Sequence, residues 1–297
     1  MHFSILLFIS LVLAKIQIKN LIYFHCCMYL FLLFLNSKQI NMINFKFLAE
    51  NKDNFRVQYL SAKPFSYLVI DGLFDSEKLK ELYSQIPEIN TKSKDYMFAN
   101  NKFEKSNYKI LGPLFKEISE DIESEEMNEF LSYISAKDVT VDTDNHGGGL
   151  HQGKQNSSLD MHLDFNYHPL KEFWYREMNL LLYLNKDWKE EYKGHLKLED
   201  LRTGKKKEIG VPFNRLIIQQ CGPHTLHGYE KTNFPETNFR TSIATYAYTK
   251  HITYMEEPRT TDWFPEDGSK FKKFLGRNVK YLVKIKTSIF GSGTAKN

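Results

Sequence analysis

Met178-Asn179-Leu180-Leu181-Leu182-Tyr183-Leu184 is a near-continuous apolar run of strand length. A run this short reads as a buried core strand when other strand signals and turns flank it. They flank it here. From Lys137 to Lys250 they come at short intervals: Val139 and Val141 before a Gly147-Gly148-Gly149 loop, an alternating Tyr192 to Leu198, Arg215 to Gln219, and Thr241 to Tyr248. Strands of this length and spacing, without interleaved helices, predict a mainly β fold built as a double-sheet jelly roll or barrel.

Upstream, Pro64 to Phe74 reads as a short apolar strand closed by Asp71-Gly72. Asp75 or Ser76 then caps a helix whose Leu79, Leu82, Tyr83 and Ile86 recur at helical spacing, ended by Pro87. After a Lys- and Asn-rich connection, Leu111 to Ile134 predicts one or two helices, with Leu114, Phe115, Ile118 and Ile122 inward and the acids from Glu117 to Glu126 on a solvated face. Such flanking helices cover the apolar outer face of a sheet. Downstream, Pro258 to Asn297 interleaves Lys270, Lys272, Lys273, Arg277, Lys280, Lys284 and Lys286 with Phe271, Phe274, Leu275, Leu282 and Ile285. That stripe predicts a docked helix with a solvated basic face, with contact to a membrane surface or acidic partner as the alternative.

The chain thus divides into an apolar extension over 1–41, a main domain over 42–250 with its β core at about 137–250, and a basic extension over 251–297. The net charge is +4, and Lys15, Lys19 and Lys38 account for three of it within the acid-free first 41 residues. The remainder is nearly neutral, which argues against nucleic acid as a partner. Phe3 to Ala14 and Leu21 to Leu35 are apolar runs, each shorter than the roughly 20 residues of a spanning helix. They read as a signal or anchor segment, or as sequence upstream of a true start at Met42. Two of the three cysteines, Cys26 and Cys27, fall in this stretch, and Cys221 alone makes no disulfide framework. This fits a reducing, cytoplasmic setting, the alternative being anchoring or export through the apolar N-terminus, and only then contact with a membrane. Cys221 itself reads as a buried thiol.

The chemistry gathers at Asp160-Met161-His162-Leu163-Asp164-Phe165-Asn166. Residues two apart on a strand share a face, so His162 and Asp164 present an imidazole nitrogen and a carboxylate side by side. A second imidazole would complete a two-histidine, one-carboxylate facial triad for Fe(II). His227 and His224 compete for that place. An arginine thirteen residues after His227, Arg240, offers a planar fork for a carboxylate, and Ser242 shares its face. Tyr183 is a phenol in an apolar strand and needs a partner for its hydroxyl. His146, His151 and His168 read as surface or loop residues, His151 with a possible contact to substrate. Asn166 and Asn179 read as residues orienting ligands or lining the core.

His162-Leu163-Asp164, Tyr183-Leu184-Asn185-Lys186-Asp187-Trp188, His227-Gly228 and Arg240-Thr241-Ser242-Ile243-Ala244, in this order and spacing, resemble the prolyl 4-hydroxylase-like family of Fe(II)- and 2-oxoglutarate-dependent dioxygenases. The resemblance spans roughly residues 64 to 250. It implies a double-stranded β-helix, cupin-like core and an enzyme that couples decarboxylation of 2-oxoglutarate to hydroxylation of a C–H bond, using Fe(II), O2 and ascorbate as reductant. By that match His162, Asp164 and His227 are the iron ligands, while Arg240 and Tyr183 hold the far carboxylate of 2-oxoglutarate; Ser242, by its shared face with Arg240, offers a third donor to the same group. The Gly228 that follows favours His227 over His224. Two departures stand out: Lys193-Gly194 where the family usually has Gly-Gly, and Tyr229-Glu230-Lys231 where a proline often follows the His-Gly.

The primary substrate stays open among peptides (a prolyl residue included), sugars, lipids and other small molecules. Two rival readings are an idle β-barrel module that binds carbohydrate or protein, and a zinc hydrolase on the same ligands. The second leaves Arg240 and Tyr183 without a task.

Overall fold

The computed structural model describes residues 41–92, 97–266, 270–276 and 278, and the chain from Met42 onward clusters as one unit. Among the described residues eleven strands form one curled, antiparallel sheet system: β1 (Tyr67–Asp71), β2 (Ala99–Lys105), β3 (Val139–Val141), β4 (Gly149–Leu163), β5 (Trp174–Tyr183), β6 (Leu196–Asp200), β7 (Lys206–Ile209), β8 (Arg215–Gln220), β9 (Thr225–Tyr229), β10 (Arg240–Lys250) and β11 (Asp262–Trp263). The order is β1-β8-β5-β10-β4-β9-β6-β7, with β2 and β11 also on β4 and β3 on β10.

β4 is what makes this a jelly roll. Its first part, Gly149 to Gly153, pairs with β10, whereas Leu159 and His162 pair with Tyr229 and His227 of β9. One long strand therefore passes from the larger sheet into the smaller and curls the two face to face.

Four helices cover the outside of the larger sheet: α1 (Phe45–Ser61), α2 (Ser76–Ser84), α3 (Pro113–Ile122) and α4 (Glu125–Ser135). Each start follows local chemistry. Asn44 Oδ1 accepts the Phe47 N–H, Asp75 accepts those of Glu77 and Lys78, Ser124 accepts that of Met127, and Pro113 occupies the first turn of α3. Met178, Leu180 and Leu182 of β5 pack into the cluster formed with these helices, while Tyr183 faces an inner cluster with Leu196, Leu198, Ile209, Val211 and Ile217. The apolar run at 178–184 is continuous because both faces of β5 are buried.

Several expectations change. α1 has only Leu48, Phe55 and Tyr59 buried, too narrow a stripe to announce itself in sequence. β2 arises inside the supposed connection, because its polar residues lie along β4 and borrow order from it. The strand expected at Tyr192 begins at Leu196, after a short turn over Glu190–Tyr192. Within the acidic run, Asp121 is buried and accepts the Ile43 N–H at 2.9 Å. At the C-terminus, residues 270–276 are helical, but Phe271 and Phe274 are exposed rather than docked. Arg277 and the residues from 279 onward lie outside the described residues, as do the apolar runs within 1–40. Among the described residues no helix is long and apolar enough to cross a membrane.

Candidate active site

His162 of β4 stands directly opposite His227 of β9, with ring centroids 4.2 Å apart. Gly228 permits this approach: a Cβ there would meet the carbonyl oxygens of Leu159 at 2.6 Å and Asp160 at 2.9 Å. Asp164 follows the end of β4, its Oδ1 3.5 Å from His162 Nε2 and its Oδ2 3.5 Å from His227 Nε2. One donor atom from each residue lies within 4.8 Å of the other two. His224 stays in the turn before β9 and does not join them.

The protonation states suit a cation. His162 Nδ1 is 2.9 Å from the Asp160 carbonyl, which can only accept, so Nδ1 carries a proton and Nε2 is the nitrogen left to face an ion. Burial, helped by His162, pushes His227 down to about 3, so it is a neutral imidazole at physiological pH. Burial raises Asp164, but the Arg176 guanidinium, His227 and His162 together outweigh it and hold the carboxyl well below the usual range. A neutral His227, an ionised Asp164 and the Nε2 of His162 make a donor set that fits Fe(II).

Of the two groups that hold Asp164, sequence reasoning passes over Arg176 and reads Asn179 as orienting a ligand or lining the core. Arg176, 1% exposed, places Nη2 3.0 Å from Asp164 Oδ2, and Asn179 Nδ2 donates to the same oxygen at 2.8 Å. Asn179 Oδ1 accepts from Arg176 Nε and Nη2 and from the Cys221 thiol. Burial pushes that thiol up to about 12, as befits an inert buried cysteine. Arg176 and Asn179 are three apart and would face opposite ways on a regular strand. The register against β10 shifts between Met178 and Arg176, and this bulge at Glu177 brings them to one side. The guanidinium also lies 3.3 Å from the Tyr246 ring centroid and 4.6 Å from that of Phe165. A lone arginine in a strand-like run was the available signal.

Two histidines expected on the surface are internal. His168 is buried: its Nδ1 accepts the N–H groups of Leu170 and Lys171, and its Nε2 lies 3.3 Å from Asp142. It thereby pins the β4–β5 loop that carries Phe165 and Asn166. His151 lies within β4 with its Nε2 sealed from solvent. His146 remains in a loop, its ring near those of Phe165 and His168. Asn166 ties down the stretch after β10, bonding Glu256, the Glu257 carbonyl and the Arg259 N–H. This stretch ends in Trp263, whose ring is 4.7 Å from that of His162 and stacks on Phe98.

Arg240 opens β10, 5% exposed. Its Nε donates to the Gly194 carbonyl at 2.7 Å, Nη2 is 3.5 Å from the Tyr183 hydroxyl, and its guanidinium carbon lies 3.8 Å from the Tyr229 ring centroid. Gly194 is required at this contact, since a Cβ there would meet Arg240 Cδ at 3.1 Å, and its φ of +71° disfavours other residues. Lys193 before it also has a positive φ of 56°, a backbone conformation that favours glycine, so the lysine occupies a strained position in this turn. Neither partner of Arg240 neutralises it, and among the described residues no carboxylate comes within ion-pair distance. A buried guanidinium in this state fits a carboxylate ligand. Ser242 is buried on the same face, across from Tyr183.

Residues 148–248 match the family described as the 2OG-Fe(II) oxygenase superfamily. This segment is a 2OG-Fe(II) oxygenase domain. The protein is accordingly an oxygenase, and Fe(II), 2-oxoglutarate and O2 are its cofactor and cosubstrates. A prolyl 4-hydroxylase from Phytophthora capsici superposes with a TM-score of 0.51 at 16% identity, over 85% of this chain and 82% of that one, and the likeness shows the jelly-roll fold. A prolyl hydroxylase from Trichoplax adhaerens, solved with a hypoxia inducible factor peptide fragment, has a TM-score of 0.46 at 16% identity over 68% and 91% of the two chains. A Pseudomonas putida prolyl-4-hydroxylase has a TM-score of 0.47 at 13% identity over 69% and 99%. No curated protein matches the chain in sequence.

Proposed function

We propose that His162, Asp164 and His227 hold Fe(II) in this oxygenase, that Arg240 and Tyr183, with Ser242, hold the distal carboxylate of 2-oxoglutarate, and that the enzyme hydroxylates a C–H bond of an organic substrate. The observation that carries this reading is the convergence of three donor atoms within 4.8 Å, from residues as far apart in sequence as His162 and His227. When bound, iron and 2-oxoglutarate supply the oxidising chemistry, with release of succinate and carbon dioxide.

The chain's own residues do the positioning. The Asp160 carbonyl keeps the proton on His162 Nδ1, so Nε2 faces the ion. Arg176 and Asn179 hold Asp164 Oδ2 and keep the carboxylate ionised. Tyr183 lies four strand residues from Asn179 and Arg240 lies beside it, where the two would hold the distal carboxylate of 2-oxoglutarate. Trp263 and Phe98 wall one side of His162 and exclude water there. Ascorbate acts as the external reductant. A carboxylate at Asp164 favours hydroxylation over halogenation, because a halide needs the space a small non-ligating residue would leave.

Among substrates, a prolyl residue in a peptide is the first to test, followed by sugars and small molecules. The experiment is succinate formation from 2-oxoglutarate in the parent and in Asp164→Ala. Turnover is abolished in the variant with the fold retained by circular dichroism. Equal turnover in the two proteins refutes the ligand assignment. A panel of candidate substrates in the same assay identifies the one that stimulates succinate release.

A further inference from the structure

His151 lies on β4 directly opposite Ser242 of β10, and Tyr183 of β5 lies opposite the same Ser242 on its other side. Directly opposed residues on neighbouring strands share a face, so His151, Ser242 and Tyr183 make one row across the inner surface. Arg240, two residues before Ser242, points the same way. Glu104 of β2 flanks His151 on the far side, but its carboxylate turns to Lys102 at 3.2 Å. His151 Nε2 is therefore sealed from solvent without a hydrogen-bond partner, a costly condition for a polar atom. Burial first, then the nearby charges of Lys102 and Arg240, keep the ring neutral, so it can carry one N–H towards an acceptor.

We propose that His151 Nε2–H is a further donor to the distal carboxylate of 2-oxoglutarate, beside Arg240 and Tyr183; this rests on the cosubstrate reading given above. The neighbouring cations call for an anionic acceptor, and the row places His151 level with Tyr183. It is also four strand residues from Asn179, which touches Asp164, so His151 serves the remote end of the diacid rather than the metal. Its contribution is selectivity: it reads the second carboxylate and is indifferent to the keto-acid end.

The test is anaerobic calorimetry on the Mn(II)-loaded protein with two ligands, 2-oxoglutarate and 2-oxobutyrate, the latter lacking the distal carboxylate. His151→Phe weakens 2-oxoglutarate about tenfold or more, as loss of a charge-assisted hydrogen bond requires, and leaves 2-oxobutyrate within about twofold. His151→Gln, which keeps a donor, recovers most of the loss. A merely structural role for the ring weakens both ligands alike, and that result overturns the proposal. So does an unchanged preference in His151→Phe. Nitrogen-15 histidine spectra of the Zn(II)-loaded parent give a second reading that needs no folded Phe variant: 2-oxoglutarate, but not 2-oxobutyrate, slows exchange of the Nε2–H resonance assigned by its loss in His151→Gln. Absence of that protection also overturns the proposal. If the parent itself shows no preference for 2-oxoglutarate, the cosubstrate reading fails as a whole. A parent that prefers 2-oxoglutarate with a His151→Phe variant that prefers it equally sinks only the role of His151.

Discussion

Replacing Arg176 by methionine separates two demands on Asp164, stability and the proposed metal binding. Without a bound ion, Arg176 Nη2 at 3.0 Å is the main counter-charge of that carboxylate. At an effective dielectric of about 20 the attraction is about 5.5 kcal/mol, offset in part by desolvating the guanidinium. Breaking a buried pair from one side costs about 3–5 kcal/mol, because the remaining charge is left uncompensated. Asn179 still donates to Asp164, so Arg176→Met falls near the lower end, about 3 kcal/mol by urea unfolding of the metal-free protein.

The loss depends on pH with a definite sign. In the parent the folded pKa of Asp164 is depressed, so its contribution is present above the unfolded value of about 3.9 and is lost as pH falls through the folded value. Without Arg176 the carboxyl rises, and protonation relieves the variant first. The difference between the two proteins is therefore full at pH 7 and shrinks towards about pH 4. A divalent cation replaces the missing counter-charge, and the repulsion between Arg176 and that cation is gone. Metal affinity of Arg176→Met, measured by Mn(II) titration, thus rises or holds while metal-free stability falls. A variant that loses less than about 1 kcal/mol, or that loses stability equally with and without saturating metal, refutes this account of the carboxylate.

Three further outcomes follow from single contacts. On the proposed role of Arg240 as the charged partner of the distal carboxylate, Arg240→Ala raises the dissociation constant for 2-oxoglutarate about tenfold to hundredfold, with Mn(II) affinity unchanged, both read by calorimetry. Gly228→Ala forces a Cβ to within 2.6 Å of the Leu159 carbonyl, so β9 must move away from β4; metal affinity drops about tenfold as His227 leaves His162, and unchanged affinity would show that the strands tolerate the shift. Asp142 is raised by burial but held far below the usual carboxylate range by His168 and Lys171, so its contribution is present above about pH 3.9 and lost only in stronger acid. Asp142→Asn therefore destabilises the neutral protein by about 2 kcal/mol in urea melts and increases amide exchange over 165–173, and an effect confined to acid pH would contradict the assigned pairing.

Part of the candidate site was legible because two of its residues obey a local rule. His162 and Asp164 are two apart at the end of a strand, so strand parity nominates that pair, while His227, Arg240 and Tyr183 are named by the resemblance rather than by spacing alone. The jelly roll was legible for a related reason: short strands with apolar inner or outer faces need two layers to bury them. Asp75 capped its helix where the side-chain chemistry placed it.

What local rules leave out is contact between residues remote in sequence. Arg176 reads as an isolated charge until the bulge at Glu177 turns it toward Asp164, and no alternation pattern announces a bulge. His151 and His168 look like loop histidines because one flanks a glycine run and the other precedes a proline, yet His168 is buried and the Nε2 of His151 is sealed from solvent. β2 is a strand only because β4 offers it a partner. Amino-acid order determined which groups this protein brings to its chemistry, since ligand type and strand parity are properties of a few adjacent residues. Tertiary structure decided which charges neutralise one another and which polar atoms are left facing inward, because burial and pairing depend on segments that only folding brings together.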